Sequence, residues 1–137
     1  MLILTVGNDL RSDDGAGPYI AKHVHSPKKG VHIIDAGERP EMVLDQAAAL
    51  RPARTVIIDA ADFGGAPGEA RLISEQFIPE CTLSTHTFPL RAVAKILAED
   101  TSADVYFIGI QAVSVSYGEQ MSPTVKQTAD GIIALLS

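Results

Sequence analysis

The sequence contains a single cysteine, Cys81, among its 137 residues, and it contains no tryptophan. One thiol excludes an internal disulfide and a zinc site built on cysteine pairs. Basic residues are also scarce, because 11 Lys and Arg stand against 17 Asp and Glu and give a net charge of −6. The few basic residues form no cluster, so the chain is not expected to bind nucleic acid or an anionic membrane surface.

Long apolar runs are missing as well. No window approaches the ~20 apolar residues that a membrane span requires, so no membrane insertion is expected. The opening MLILTV is too short for the apolar core of a secretory signal and has no basic residues before it. We therefore expect a cytoplasmic protein and a monomer. At this length the chain is expected to form one domain, 1–137, with a sizeable core.

Short apolar segments alternate with amphipathic ones along the chain. Apolar, β-branched runs predict strands at 2–6, 31–35, 55–59 and 104–110, with a possible edge strand at 69–73. Apolar residues at helical spacing predict helices at 16–24, at 41–50, from Thr87 onward and from Ser122 onward, whereas 74–85 is expected to be irregular. Such alternation is typical of an α/β fold. We predict a three-layer sandwich in which helices cover both faces of a twisted, mostly parallel sheet of about five strands.

Acidic residues follow two of these strands. Asp13 and Asp14 come after the first strand, Asp59 closes the third, and His86 precedes a predicted helix. Parallel sheets bind ligands at the carboxyl ends of their strands, and the first and third strands are commonly neighbours. Two carboxylates and an imidazole suit a divalent cation such as nickel, zinc or manganese. Because Asp14 lies near a helix N-terminus, we expect it to stay ionised and to act as a metal ligand.

Each of these residues also has a purely structural explanation. Asp13 or Asp14 could be an N-cap, Asp59 could support the turn that contains Asp62, and His86 could cap a helix. A phosphoacceptor receiver domain is a second alternative, since it shares this size and an acceptor aspartate at the end of the third strand. Receivers, however, carry a lysine at the end of the last strand, where this chain has Gln111. The combination of three groups at strand ends favours a metal site.

Four motifs resemble those of the hydrogenase maturation endopeptidases. They are GNDLRSDDGAGP at 7–18, IDAAD at 58–62, STHTFPL at 84–90 and FIGIQ at 107–111. The resemblance covers essentially the whole chain, with the motifs in the family's order. The sequences of the third and fourth motifs are similar to those in the branch of the family that serves membrane-bound, hydrogen-evolving or energy-conserving hydrogenases.

This resemblance implies a function. Such peptidases cut a short C-terminal peptide from the large-subunit precursor of a nickel–iron hydrogenase once nickel has been inserted. It also implies that Asp14, Asp59 and His86 are the metal-binding and catalytic residues, although several relatives have Glu in place of Asp14. We expect the nickel to be presented by the precursor rather than held as a resident cofactor. Acid–base catalysis in the manner of aspartic-type peptidases, and a nickel-checking module without catalysis, remain as alternatives.

Overall fold

The computed structural model describes residues 1–83 and 88–137. Its strands are β1 (Leu2–Thr5), β2 (His32–Asp35), β3 (Arg54–Ala61), β4 (Ala70–Ile73) and β5 (Asp104–Gln111). Its helices are α1 (Ala16–His23), α2 (Leu44–Ala49), α3 (Ile78–Cys81), α4 (Leu90–Thr101) and α5 (Pro123–Leu136), with short 3-10 helices at Ser12–Gly15, Pro40–Val43 and Glu75–Phe77. None of the helices within these described ranges is long and apolar enough to cross a membrane.

The strands form one sheet in the order β2-β1-β3-β5-β4. All neighbours are parallel except β4, which runs antiparallel to β5 at the edge, with Arg71 opposite Gly109. At the carboxyl end of β1, Thr5 lies between Asp35 of β2 and Ile58 of β3. β1 and β2 therefore end side by side, and β3 continues past them to Ala61, so the carboxyl ends of all three strands lie on the same side of the sheet.

Two apolar layers cover the sheet. Leu2 and Leu4 of β1 pack into a cluster that includes buried residues of α2 and α4, whereas Ile3 points into a cluster formed with α1 and α5. This alternation follows from the two-residue period of a strand, which sends successive side chains to opposite faces. Helices on both faces and a mostly parallel sheet confirm the predicted three-layer α/β sandwich.

The observed elements differ from the predicted ones in three places. The segment expected to be irregular contains the 3-10 helix Glu75–Phe77 and helix α3, in which Pro79 sits in the first turn, where a missing N–H is tolerated. The predicted helix at 41–50 is divided into a 3-10 helix and α2. The third strand does not end at Asp59, because its pairing with β5 continues to Ala61 opposite Gln111. The proposed helix start at Thr87 lies outside the described residues, and α4 is described from Leu90.

Candidate active site

Two glycines allow the loop after β1 to fold back onto that strand. Gly7 has φ +144°, and a Cβ at this position would overlap the carbonyl oxygen of Asp14. A Cβ at Gly17 would overlap the carbonyl oxygen of Val6. Only glycine has the space for such close approaches. These contacts fix the loop that carries Asp14 against the carboxyl end of β1.

Asp14 lies in the 3-10 helix Ser12–Gly15, directly before α1, with 1% of its surface exposed. Its Oδ2 accepts a hydrogen bond of 3.1 Å from the N–H of Asn8 and lies 3.9 Å from Nη1 of Arg11. No side-chain hydrogen bond caps the 3-10 helix or α1. The interpretation of Asp14 as a simple N-cap is therefore wrong, and its carboxylate instead contacts the loop after β1 at Asn8 and Arg11.

Asp59 is fully buried in the middle of the sheet. It lies opposite Gly109 of β5 and directly follows Ile58, whose carbonyl oxygen accepts a hydrogen bond of 2.9 Å from the N–H of Val6. Because Ile57 and Ala61 belong to the apolar cluster on the α2 and α4 side, strand alternation points Asp59 to that side too. β3 is in contact with the 3-10 helix that carries Asp14. Asp14 and Asp59 thus both lie toward the carboxyl ends of the central strands β1 and β3.

His86, the third predicted ligand, lies outside the described residues. The described chain before it runs beside the end of β3, since Thr82 forms a bridge with Ala61 and the N–H of Asp62 donates to the carbonyl oxygen of Cys81. Within residues 1–83 and 88–137, no group of three His, Cys, Asp or Glu side chains could hold a metal ion. A metal site that combines Asp14 and Asp59 with His86 therefore stays a prediction.

The side chain of Asp13 connects the loop after β1 to the loop after β5. Its fully buried carboxylate accepts hydrogen bonds from the N–H groups of Val113 (2.8 Å) and Ser114 (3.1 Å). It also accepts bonds from the N–H (2.7 Å) and the hydroxyl (2.9 Å) of Ser122. Asp13 therefore supports the loop after β5, and it caps neither the 3-10 helix nor α1. Its partners lie about a hundred positions away, so no local sequence pattern could identify them.

Replacing Asp13 with Asn is expected to lower the free energy of unfolding by about 2–4 kcal/mol. The amide has one acceptor oxygen in place of two and turns an N–H₂ donor toward the buried N–H groups of this cluster. Urea denaturation measures the loss. Asp9→Asn in the same loop is the control, because Asp9 is exposed and its change should stay within about 0.5 kcal/mol. Equal urea midpoints for the two variants would contradict this role.

Gln111 at the end of β5 fixes the turn after β3. Its Oε1 accepts hydrogen bonds from the N–H groups of Phe63 (2.9 Å) and Gly65 (3.1 Å), and its Nε2 donates to Asp62 Oδ1 at 3.1 Å. The bond from Gln111, together with one from the N–H of Gly64, lowers the pKa of Asp62. The turn is thus held by Asp62 and Gln111, and sequence reasoning did not identify this role for Gln111.

The chain is similar to known proteins over most of its length. The hydrogenase maturation protease (HycI) family model matches residues 18–137. The hydrogenase 3 maturation protease of Escherichia coli K12 is 38% identical over 133 residues, which cover 96% of this chain and 85% of that protein.

Two solved structures share the fold over nearly the whole chain. The solution structure of the endopeptidase HycI from Escherichia coli has a TM-score of 0.88 and 36% identity, covering 98% of this chain and 87% of that one. The crystal structure of the [NiFe] hydrogenase maturation protease HycI from Thermococcus kodakarensis has a TM-score of 0.84 and 34% identity, covering 98% and 88%. The similarity therefore includes sequence as well as fold.

Proposed function

Because this chain belongs to the hydrogenase maturation protease family, we propose that it removes a C-terminal peptide from the precursor of a nickel–iron hydrogenase large subunit. The chain is a peptidase, as its relatives are named proteases and endopeptidases. This family membership rejects the receiver domain, whose parallel five-stranded order 2-1-3-4-5 also differs from the antiparallel β4 edge found here. It equally disfavours a module that checks nickel without cutting.

The observation that carries the nickel part of the proposal is the burial of Asp14 and Asp59 near one edge of the sheet. Carboxylate oxygens at this end of the sheet can bind a divalent cation, and His86 would add an imidazole nitrogen, which nickel accepts readily. We propose that these three side chains contact the nickel that the precursor carries.

In this arrangement the ion belongs to the substrate, and the peptidase recognises it. Three protein ligands leave further coordination positions for groups of the precursor. An ion bound in this way holds the precursor tail in the site and can polarise the scissile carbonyl or activate a water molecule. Cleavage then depends on completed nickel insertion, because the precursor without its metal lacks the group that Asp14, Asp59 and His86 would bind.

The proposal is tested with purified protein and the large-subunit precursor in two forms, nickel-loaded and nickel-free. Mass spectrometry of each precursor form after incubation measures release of the tail. We expect release from the loaded precursor alone. Equal release from both forms would contradict nickel recognition, and binding of the loaded precursor without any release would contradict the proposed cleavage and favour the checking module.

A further inference from the structure

A second surface lies beside the edge strand β4. Its groove, called the β4 groove below, has a volume of about 410 Å³ and is lined by Asp62, Phe63, Leu72, Phe77, Glu80 and Cys81, among others. Leu72 is 62% exposed and Phe77 48% exposed. Large apolar side chains with this exposure along a groove are typical of a surface that binds another chain.

The backbone of β4 presents hydrogen-bonding groups to the outside of the sheet. The N–H of Gln111 donates to the carbonyl oxygen of Glu69 at 2.8 Å. In an antiparallel pair, successive residues turn their backbone N–H and C=O groups alternately toward and away from the neighbouring strand. The backbone groups of Arg71 and Ile73 therefore face β5, whereas those of Ala70 and Leu72 point away from it. No strand in the described part of the chain pairs with β4 on that outer side. Such an edge can pair with an extended peptide.

The β4 groove lies two strands from Asp59 in the candidate active site. Its lining includes Asp62, three residues after Asp59, and Cys81, whose carbonyl oxygen accepts a hydrogen bond from the N–H of Asp62. Across the sheet, Arg71 lies opposite Gly109, and Gly109 lies opposite Asp59. A strand paired with the outer edge of β4 would lie three strand spacings of about 4.8 Å from Asp59, which is about 14 Å. An extended segment of four or five residues covers that distance (about 3.3 Å per residue).

We propose that the outer edge of β4 pairs with an extended segment of the large-subunit precursor near its cleavage site, in the manner of an added β-strand. This inference rests on the proposed function, since it takes the precursor as substrate. An apolar side chain of that segment fills the space between Leu72 and Phe77.

Charge around the groove indicates which segment fits. The guanidinium of Arg71 is already paired with Glu69 at 2.6 Å and lies 4.4 Å from the centre of the Phe63 ring. The carboxylates of Asp62 and Glu80 remain along the lining. They favour a neutral or basic segment over an acidic one. A second copy of this chain, which carries a net charge of −6, would bring like charges to the same edge.

The edge pairing is tested by comparing Leu72→Pro with Leu72→Ala in cleavage of nickel-loaded precursor. Both variants lose the leucine side chain, but only proline removes the outward N–H, and it does so where no bond to β5 is lost. We expect KM for Leu72→Pro to exceed that for Leu72→Ala by about tenfold, with kcat within about twofold. Equal KM values for the two variants would overturn the strand pairing.

The groove itself is tested with Leu72→Glu, matched by Leu135→Glu on α5, where Leu135 is 70% exposed. We expect KM to rise about tenfold for the first and to stay unchanged for the second. A groove of about 860 Å³ beside α1 is lined by Tyr19, among others, and serves as the competing location. If Tyr19→Glu raises KM and Leu72→Glu does not, the tail binds beside α1 and the inference is wrong.

Hydrogen exchange on the unmodified protein gives a measurement that no folding defect can imitate. With the nickel-free precursor bound at saturation, the amides of Ala70 and Leu72 should exchange at least about tenfold more slowly. Unchanged exchange would overturn the pairing. Loss of a homodimer in Leu72→Glu would instead assign the edge to a second copy. Failure of the unmodified protein to cleave loaded precursor would reject the proposed function separately, because the exchange result does not need cleavage.

Discussion

Asn in place of Asp59 is expected to reduce release of the precursor tail by about 100-fold or more. The substitution keeps the shape of the side chain and removes the negative charge that the proposal directs to the nickel. Asp14→Asn and His86→Ala should cause losses of similar size, because each removes one of the three proposed contacts. Single-turnover cleavage of nickel-loaded precursor, followed by mass spectrometry, measures these losses.

Melting temperatures separate a functional loss from a structural one. Because Asn preserves the volume of the buried side chain, Asp59→Asn should remain folded at the assay temperature while its cleavage fails. Asp130→Asn on α5 is the matched control, since Asp130 forms exposed contacts with Tyr19 and Lys126 that contribute little stability. Full cleavage by the Asp14, Asp59 and His86 variants would reject the proposed site.

Alanine in place of Gly7 is expected to destabilise the protein by about 3 kcal/mol or more, which corresponds to a fall in melting temperature of about 10 °C. The backbone at Gly7 has φ +144°, which L-residues rarely adopt. The added methyl group would also overlap the carbonyl oxygen of Asp14, which is backbone and has no flexible end to move. Relief of that overlap displaces Asp14, so cleavage should fall as well.

Gly30→Ala is the control for this prediction. Gly30 also has a positive φ, of +82°, but a Cβ there would meet nothing within 4 Å. Its replacement should therefore cost only the conformational strain, about 1 kcal/mol, and leave cleavage unchanged. The difference between the melting temperatures of Gly7→Ala and Gly30→Ala measures the cost of the overlap, because both variants carry backbone strain and only Gly7→Ala adds the overlap. Similar melting temperatures would mean that the close approach between Gly7 and Asp14 does not limit stability.

Local sequence patterns were sufficient for most of the secondary structure. The buried strands were predicted because apolar, β-branched runs end at turn residues, and α4 was predicted because Leu90, Val93, Ala94 and Leu97 recur at helical spacing; all four are buried. The expected edge strand at 69–73 is observed as β4. The period of apolar residues decides these elements, and that period is a property of neighbouring residues alone.

The failures have two different physical causes. The third strand passes Asp59 because β5 supplies partners as far as Gln111, and the extent of a ladder depends on the neighbouring strand. The short helices at 75–81 contain no complete amphipathic period, so their apolar pattern was too brief to recognise. The first error depends on contacts distant in sequence, and the second on a local pattern that is too short.

The sequence by itself determined the order of strands and helices, the acidic residues close to the carboxyl ends of the first and third strands, and the family to which their motifs belong. Only the tertiary structure showed that Asp14 and Asp59 are buried near one sheet edge, that Asp13 holds the loop after β5, and that β4 runs antiparallel. The reason is the range of the forces involved. Side-chain period and turn chemistry act within a few residues, whereas burial, register and buried hydrogen bonds depend on segments that meet only when the chain has folded.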